Sequence, residues 1–324
     1  EFGEIQFPDR AMETYVRGLL GSWDLERIRS RAYRLVIDYS HSPASLTLPY
    51  VLGDLGAEVL SLRAFNEQRH VSLGAEELDA NLEEVRRLVR TVEADLGFVV
   101  GPGSERLYLV DDTGGEVAFE KALLLYVKLV AQEAARGEKI ALPLTVTRLA
   151  ERLAEPFGVE VIRTKVSLPA LAQASTEPGV VFAGALGGGY IFPRFLPAFD
   201  AVMSLGKLLE LLAPQARPLS AQLVEIPTST LVHRTTACPW ALKGTVMRTA
   251  TEHLQHEAAT GDAEIGLLDG VQLQRADGGR VQLLPDADEP VFHVYAEGAD
   301  HGESERLAEG FLEVVRDVIR RHAG

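Results

Sequence analysis

Strand-length apolar runs alternate with amphipathic helices along residues 30–212, and this alternation restricts the fold more than any other feature. The pattern predicts strands over 33–39, 58–62, 95–100 and 106–111. Between them it predicts helices over 44–55, kinked or started by Pro49, and over 75–92, with Leu78, Leu82, Val85, Leu88 and Val89 on one side. The pattern then recurs. Helices over 120–135, 146–154, 168–174 and 198–212 interleave with strands over 139–142, 160–164, 180–182 and 190–192. Alternation of this kind gives right-handed βαβ crossovers and a mostly parallel sheet. Two such units in tandem read as an old duplication.

Residues 10–29 read as one helix, with Met12, Tyr15, Val16, Leu19 and Leu20 on one face. Residues 213–218, Ala-Pro-Gln-Ala-Arg-Pro, read as a linker, and the pattern changes beyond them. Strands over 230–236, 271–274, 281–284 and 291–295 cluster between helices over 241–257 and 304–321. The last helix carries a stripe of Leu307, Phe311, Val314, Val315 and Val318, and ends in Arg320 and Arg321, which suit its dipole. This end of the chain reads as an α+β domain.

The chain has 324 residues, enough for two or three domains. A net charge of −15 argues against nucleic acid or an anionic membrane as partner. The one cysteine, Cys238, excludes an internal disulfide and a cysteine-rich zinc site, and reads as a buried structural thiol. No apolar run is long enough to span a membrane, and there is no signal peptide, so the cytoplasm is the expected location. The chain starts at Glu1 and soon enters a helical pattern, which suggests a piece of a longer protein.

Residues 94–112 read Ala-Asp-Leu-Gly-Phe-Val-Val-Gly-Pro-Gly-Ser-Glu-Arg-Leu-Tyr-Leu-Val-Asp-Asp: a buried strand, a glycine-rich turn and a second strand. The stretch resembles the magnesium loop of the alpha-D-phosphohexomutases (phosphoglucomutase and phosphomannomutase), which runs Ala-Asp-x-Gly, three residues, then Asp-Gly-Asp-x-Asp-Arg. The three ligand positions hold Gly101, Gly103 and Glu105, followed by the expected Arg106. Residues 158–166 resemble the family's third-domain strand ending in Arg-Thr-x-Val-Gly, with Pro169 near the place of a basic residue. Residues 183–193 resemble the sugar-recognition loop Gly-Gly-Glu-x-Ser-Gly, here with Gly184, Ala185, Gly187, Gly188 and Gly189. Residues 284–297 resemble the phosphate loop Arg-Pro-Ser-Gly-Thr-Glu-Pro and its following strand, with Leu284, Asp286, Ala287 and Asp288 replacing four positions and Glu289-Pro290 keeping two. Residues 188–200 and 238–248 carry a closer likeness to the mutase-like C-terminal region of long bacterial mannose-1-phosphate guanylyltransferases.

The resemblance implies two tandem phosphohexomutase-type three-layer α/β domains followed by a smaller α+β C-terminal domain. Residues 1–29 would be the tail helix of a missing first domain, 30–117 domain II, 118–222 domain III and 223–324 domain IV. It also implies what each loop has lost. Magnesium favours several oxygen ligands, and Glu105 alone offers a carboxylate, so no metal and no cofactor is expected unless the chain is an active mutase. Ala185 and Gly187 remove polar contacts to sugar hydroxyls, each worth about 1–3 kcal/mol. The glycine run could still turn backbone N–H groups toward an anion. Asp286 and Asp288 would face a phosphate dianion with like charge, a repulsion of about 4 kcal/mol per pair of unit charges about 4 Å apart.

Ser40-His41-Ser42-Pro43 imitates the family's phosphoserine loop, but it lies at the first strand–helix turn of domain II, where an N-terminal cap is the better reading. No catalytic residue is therefore assigned. His253 and His256 read as solvated helix residues, and Asp111-Asp112 as a solvated strand end. Three functions fit. The first is a non-catalytic structural or regulatory module of a sugar-nucleotide enzyme, joined covalently to upstream domains and compatible with a homo-oligomer. The second is an active phosphohexomutase interconverting sugar 6-phosphate and sugar 1-phosphate. The third is a module that senses a phosphosugar or nucleotide sugar.

Overall fold

The computed structural model describes residues 9–66 and 73–322. These pack as two units, one formed mainly by residues 9–142, 150–162 and 171–227, the other by 143–149, 163–170 and 228–322.

The first unit opens with α1 (Ala11–Ser22) and α2 (Leu25–Arg31), not with one continuous helix. Trp23 is extended, and the Asp24 side chain accepts from the Arg27 N–H, so a new N-cap restarts the helix. Then come β1 (Arg34–Asp38), a 3₁₀ turn (Pro43–Leu46), α3 (Leu48–Leu55), β2 (Glu58–Leu62), α4 (Ala75–Val92), β3 (Leu96–Val100), β4 (Leu107–Val110) and β5 (Glu116–Val117). Their sheet has the order β2-β1-β3-β4-β5, parallel across β2, β1 and β3 and antiparallel beyond. Val36, Ile37, Phe98 and Val99 are fully buried, as expected of central strands covered on both faces. Gly97 lets α4 approach closely, because a Cβ there would lie 2.6 Å from a Val85 methyl.

The second α/β layer set contains α5 (Phe119–Glu133), β6 (Lys139–Pro143), α6 (Leu149–Ala154), β7 (Glu160–Thr164), α7 (Leu168–Ser175), β8 (Val180–Ala185), β9 (Gly189–Ile191), α8 (Ala201–Leu212) and α9 (Leu219–Val224). Its sheet has the order β7-β6-β8-β9. Tyr126 on α5 packs against Phe182 and Tyr190, and its hydroxyl donates to the Ser204 carbonyl at 2.8 Å. That bond satisfies the one polar atom of a fully buried ring. The aspartates at the β4–β5 hairpin are bonded rather than merely solvated. Asp111 accepts from the N–H groups of Thr113 and Gly115, and Asp112 from the N–H and hydroxyl of Ser220.

The C-terminal sheet has the order β10-β14-β13-β12-β11 and is antiparallel throughout. It contains β10 (Val232–Ala237), β11 (Ala263–Gly266), β12 (Val271–Arg275), β13 (Arg280–Pro285) and β14 (Val291–Glu297). The sequence reading omits β11, which is four residues long and sends only Ala263 and Ile265 toward the core. Helices α10 (Lys243–Thr260) and α11 (His301–His322) supply Val246, Leu254, Phe311, Leu312 and Val315 to one core with Leu273, Val281, Phe292 and Val294. Cys238 is fully buried in that core. Away from it lies a buried ion pair. Arg280 donates to Glu297 at 2.9 Å and to the carbonyls of Leu144 and Val146, while Glu297 also accepts from Thr147 and the Arg148 N–H. Among the described residues no helix is long and apolar enough to cross a membrane.

Candidate functional site

The turn between β3 and β4 is held by main-chain bonds. The Gly101 N–H donates to the Arg106 carbonyl at 2.9 Å, and the Ser104 N–H to the Gly101 carbonyl at 2.8 Å. Ser104 adopts the left-handed conformation (φ 59°), which costs a non-glycine residue about 1–2 kcal/mol. It is held there by ties to two other segments. Its hydroxyl accepts from the Ala44 N–H, and its carbonyl from the Ala201 N–H at the start of α8. The sequence offered no signal for Ser104.

The turn borders a cavity of about 310 Å³ lined by Leu73, Leu78, Gly101, Gly103, Glu105, Arg106 and Tyr108. Among the described residues only Glu105 brings a carboxylate to it. Gly101 and Gly103 bring no side chain, and the Glu105 carboxyl folds back toward Gly103. Among the described residues no group of three or more His, Cys, Asp or Glu could hold a metal. This donor set does not fit magnesium, which needs oxygen ligands around it at octahedral positions.

The glycine run 184–189 stands directly beside this turn. Gly188 accepts from the Leu107 N–H at 3.0 Å, and Gly189 bridges Arg106 in antiparallel register. Gly187 and Gly188 have φ of +96° and +81°. A Cβ on Gly188 would lie 2.6 Å from the Leu107 carbonyl oxygen. Ala185 pairs with Gly189 across the β8–β9 hairpin. The structure therefore brings two of the three loops together, and Gly188 is used for close backbone approach.

The third loop, 284–290, belongs to the C-terminal unit. Leu284 and Pro285 still pair with β14, and Ala287 is exposed. The two aspartates are not equivalent. Asp286 turns inward: its carboxylate accepts from the N–H groups of Asp288 (2.8 Å) and Glu289 (2.7 Å) and bonds His293 Nε2 (2.9 Å). The His293 bond, followed by the loop amides, holds its pKa down at about 2. Asp288 and Glu289 are exposed. The expected face of two outward aspartates is thus replaced by one carboxylate filling its own loop and one at the surface. Lys243 pins the same loop from α10, donating to the carbonyls of Asp286 and Glu289 while its ammonium stands 3.6 Å from the Trp240 ring centre.

Ser40 is 1% exposed, and its buried hydroxyl has no hydrogen-bond partner among the described residues. It caps no helix, contrary to the expected cap, and Ser42, the N-cap of the 3₁₀ turn, makes no side-chain cap bond either. Asp38 organises this turn instead. It accepts from the Ser40 N–H at 2.8 Å and from Arg63 through two guanidinium nitrogens, which steadies the left-handed Ser40 and His41. A buried hydroxyl in that setting is not open to a phosphoryl group. His253 and His256 are exposed, and His253 packs edge-on to Phe311.

The sequence matches the family profile of phosphoglucomutase/phosphomannomutase, alpha/beta/alpha domain II, over residues 13–115, and that of domain III over residues 120–229. It is 30% identical over 319 residues to a protein of Methanopyrus kandleri described as a probable phosphoglucosamine mutase, covering 98% of this chain and 69% of that one. It is 26% identical over 320 residues to the phosphoglucomutase/phosphomannomutase of Thermococcus kodakarensis, covering 99% and 68%. The fold is similar to a phosphoglucomutase/phosphomannomutase family protein of Burkholderia thailandensis, with a TM-score of 0.76 at 21% identity over 95% of this chain and 64% of that one. The chain thus spans about two thirds of the length of these proteins. With profiles for two consecutive domains and a relative 30% identical over 98% of this chain, the chain belongs to the alpha-D-phosphohexomutase (phosphoglucomutase/phosphomannomutase) family.

Proposed function

We propose that this chain is a phosphohexomutase-type module that does not itself move phosphoryl groups, and that it serves as a structural or regulatory part of a cytoplasmic sugar-nucleotide enzyme of the mannose-1-phosphate guanylyltransferase type. One observation carries the reading. The donors that would meet an incoming anion at 286–293, two amides and an imidazole, are engaged by the Asp286 carboxylate. An external phosphate would have to displace a carboxylate bonded by all of them, a competition it enters against like charge. The glycine positions 101 and 103 support the same reading, because phosphoryl transfer on this scaffold relies on a metal to neutralise the transferring group.

A second reading is an active hexosamine-phosphate mutase, favoured by the relative of Methanopyrus kandleri. An assay of the purified chain with glucosamine, glucose and mannose phosphates, magnesium and a bisphosphate activator separates the two. No interconversion of 6- and 1-phosphates is expected, and turnover typical of mutases would overturn the first reading. A thermal shift that grows with mannose-1-phosphate or GDP-mannose concentration would mark a binding role, and none a scaffold.

A further inference from the structure

Asp286 is the first member of a chain of three titratable groups. Its carboxylate bonds His293 Nε2 at 2.9 Å, and His293 Nδ1 lies 2.9 Å from His233 Nε2. The ring centroids of the two histidines are 5.1 Å apart, and the planes lie within 27° of each other. For nitrogens 2.9 Å apart, that separation is close to the largest that two five-membered rings allow. The nitrogens therefore point along the line between them, as in a straight N–H···N hydrogen bond rather than a pair converging on a metal. His233 also stacks flat on Tyr295, with centroids 4.2 Å apart and planes 5° apart, which fixes its ring.

The proton positions follow. An ionised carboxylate only accepts, so His293 Nε2 carries a hydrogen and, in the neutral ring, His293 Nδ1 is bare. His233 Nε2 must then supply the hydrogen between the rings, and His233 Nδ1 is bare. One additional proton can enter at His233 Nδ1 without breaking any of these bonds. A second must go to His293 Nδ1, which would set two N–H groups against each other and sever the link. The surrounding charges are Arg234, held by Glu305 of α11, Lys243 of α10, and Asp288 and Glu289 of the loop, with Tyr295 beneath His233.

We propose that Asp286, His293 and His233 form a proton-counting latch that fastens the edge strand β10 to the 285–290 loop, holds when a first proton enters at His233 and opens when a second enters at His293. Among the described residues β10 pairs with β14 alone, so loss of the latch is felt along it. Burial, then His293 and Arg234, push the His233 pKa below its usual 6.5. A base with a depressed folded pKa contributes stability above the unfolded value that is lost as pH falls through the folded one.

Long-range ¹H–¹⁵N spectra of the histidine rings, recorded on the whole chain from pH 7.5 to 4.5, test this directly. The expected result is Nε2–H tautomers for both rings at neutral pH and two separated titration steps. Amide exchange of β10, corrected for intrinsic chemistry, should quicken relative to β13 by about tenfold for each pH unit below the second step. His293→Gln can donate to Asp286 and accept from His233 without a site for the second proton, and should abolish the β10 pH dependence. Independent single-step titrations near 6.5, or Nδ1–H tautomers, would overturn the proposal even if that variant failed to fold. So would an unchanged pH dependence in a folded His293→Gln protein.

Discussion

The Arg280–Glu297 pair offers the most demanding test of the C-terminal unit. The two side chains are 3% and 10% exposed, and each charge is bonded beyond its partner. Arg280 reaches the carbonyls of Leu144 and Val146, and Glu297 gathers Thr147 and the Arg148 N–H. Glu297→Ala removes the carboxylate that Arg280 meets at 2.9 Å and leaves the buried guanidinium against the two carbonyls. Removing one partner of such a pair costs about 3–5 kcal/mol. In a unit of this size that lowers Tm on the order of 10–20 °C. Replacing both, as Arg280→Met with Glu297→Leu, removes the stranded charge, and so should recover at least half of the loss despite deleting more bonds. Differential scanning calorimetry, with hydrogen exchange over residues 143–149, reads both effects. A loss below about 1 kcal/mol for Glu297→Ala would show that water reaches the pair, and a double variant no better than the single would show that the bonds to the carbonyls outweigh the charge.

Two further outcomes bear on the loops. Gly188→Ala should destabilise by about 1–3 kcal/mol, because a left-handed residue would also drive its Cβ into the Leu107 carbonyl oxygen. Gly187→Ala, with nothing within 4 Å of its Cβ, should cost only the backbone term of about 1–2 kcal/mol, so equal losses in denaturant titrations would refute the packing role of Gly188. For Asp286, a carboxyl held at about 2 rather than its ordinary 3.8 adds stability above 3.8 that disappears as pH falls through about 2. The stability gap between the natural chain and Asp286→Asn should therefore close across that window. Its size should be about 1 kcal/mol, since the side chain is 28% exposed and screened. A gap constant from pH 5 to 2 would argue against the inward carboxylate.

The α/β scaffold was legible because its central strands are buried on both faces, and runs such as 35–37 and 96–100 then leave little choice of structure. The restart at Asp24 was written in an acidic N-cap, but an unbroken apolar stripe across 10–29 masked it. The absence of side chains at Gly101 and Gly103 was equally plain, since composition alone carries it. The inward turn of Asp286 was not legible: it depends on His293, seven residues on and across a strand pairing, and thus on register. The same is true of His233, which meets His293 only because β10 and β14 are neighbours. Ser104 is the hardest case, because its left-handed backbone is paid for by bonds to Ala44 and Ala201 that no local pattern announces.

Those two bonds have a consequence for how this scaffold can change. The β3–β4 turn works as a splice, stitched by Ser104 to the turn after β1 and to the head of α8, and by Leu107 to Gly188. Its backbone is already committed on every side, so carboxylates added to its tip would inherit a rigid frame shaped by its neighbours. A substitution at the tip would therefore be felt at the turn after β1 and at the head of α8 as well as in the turn itself.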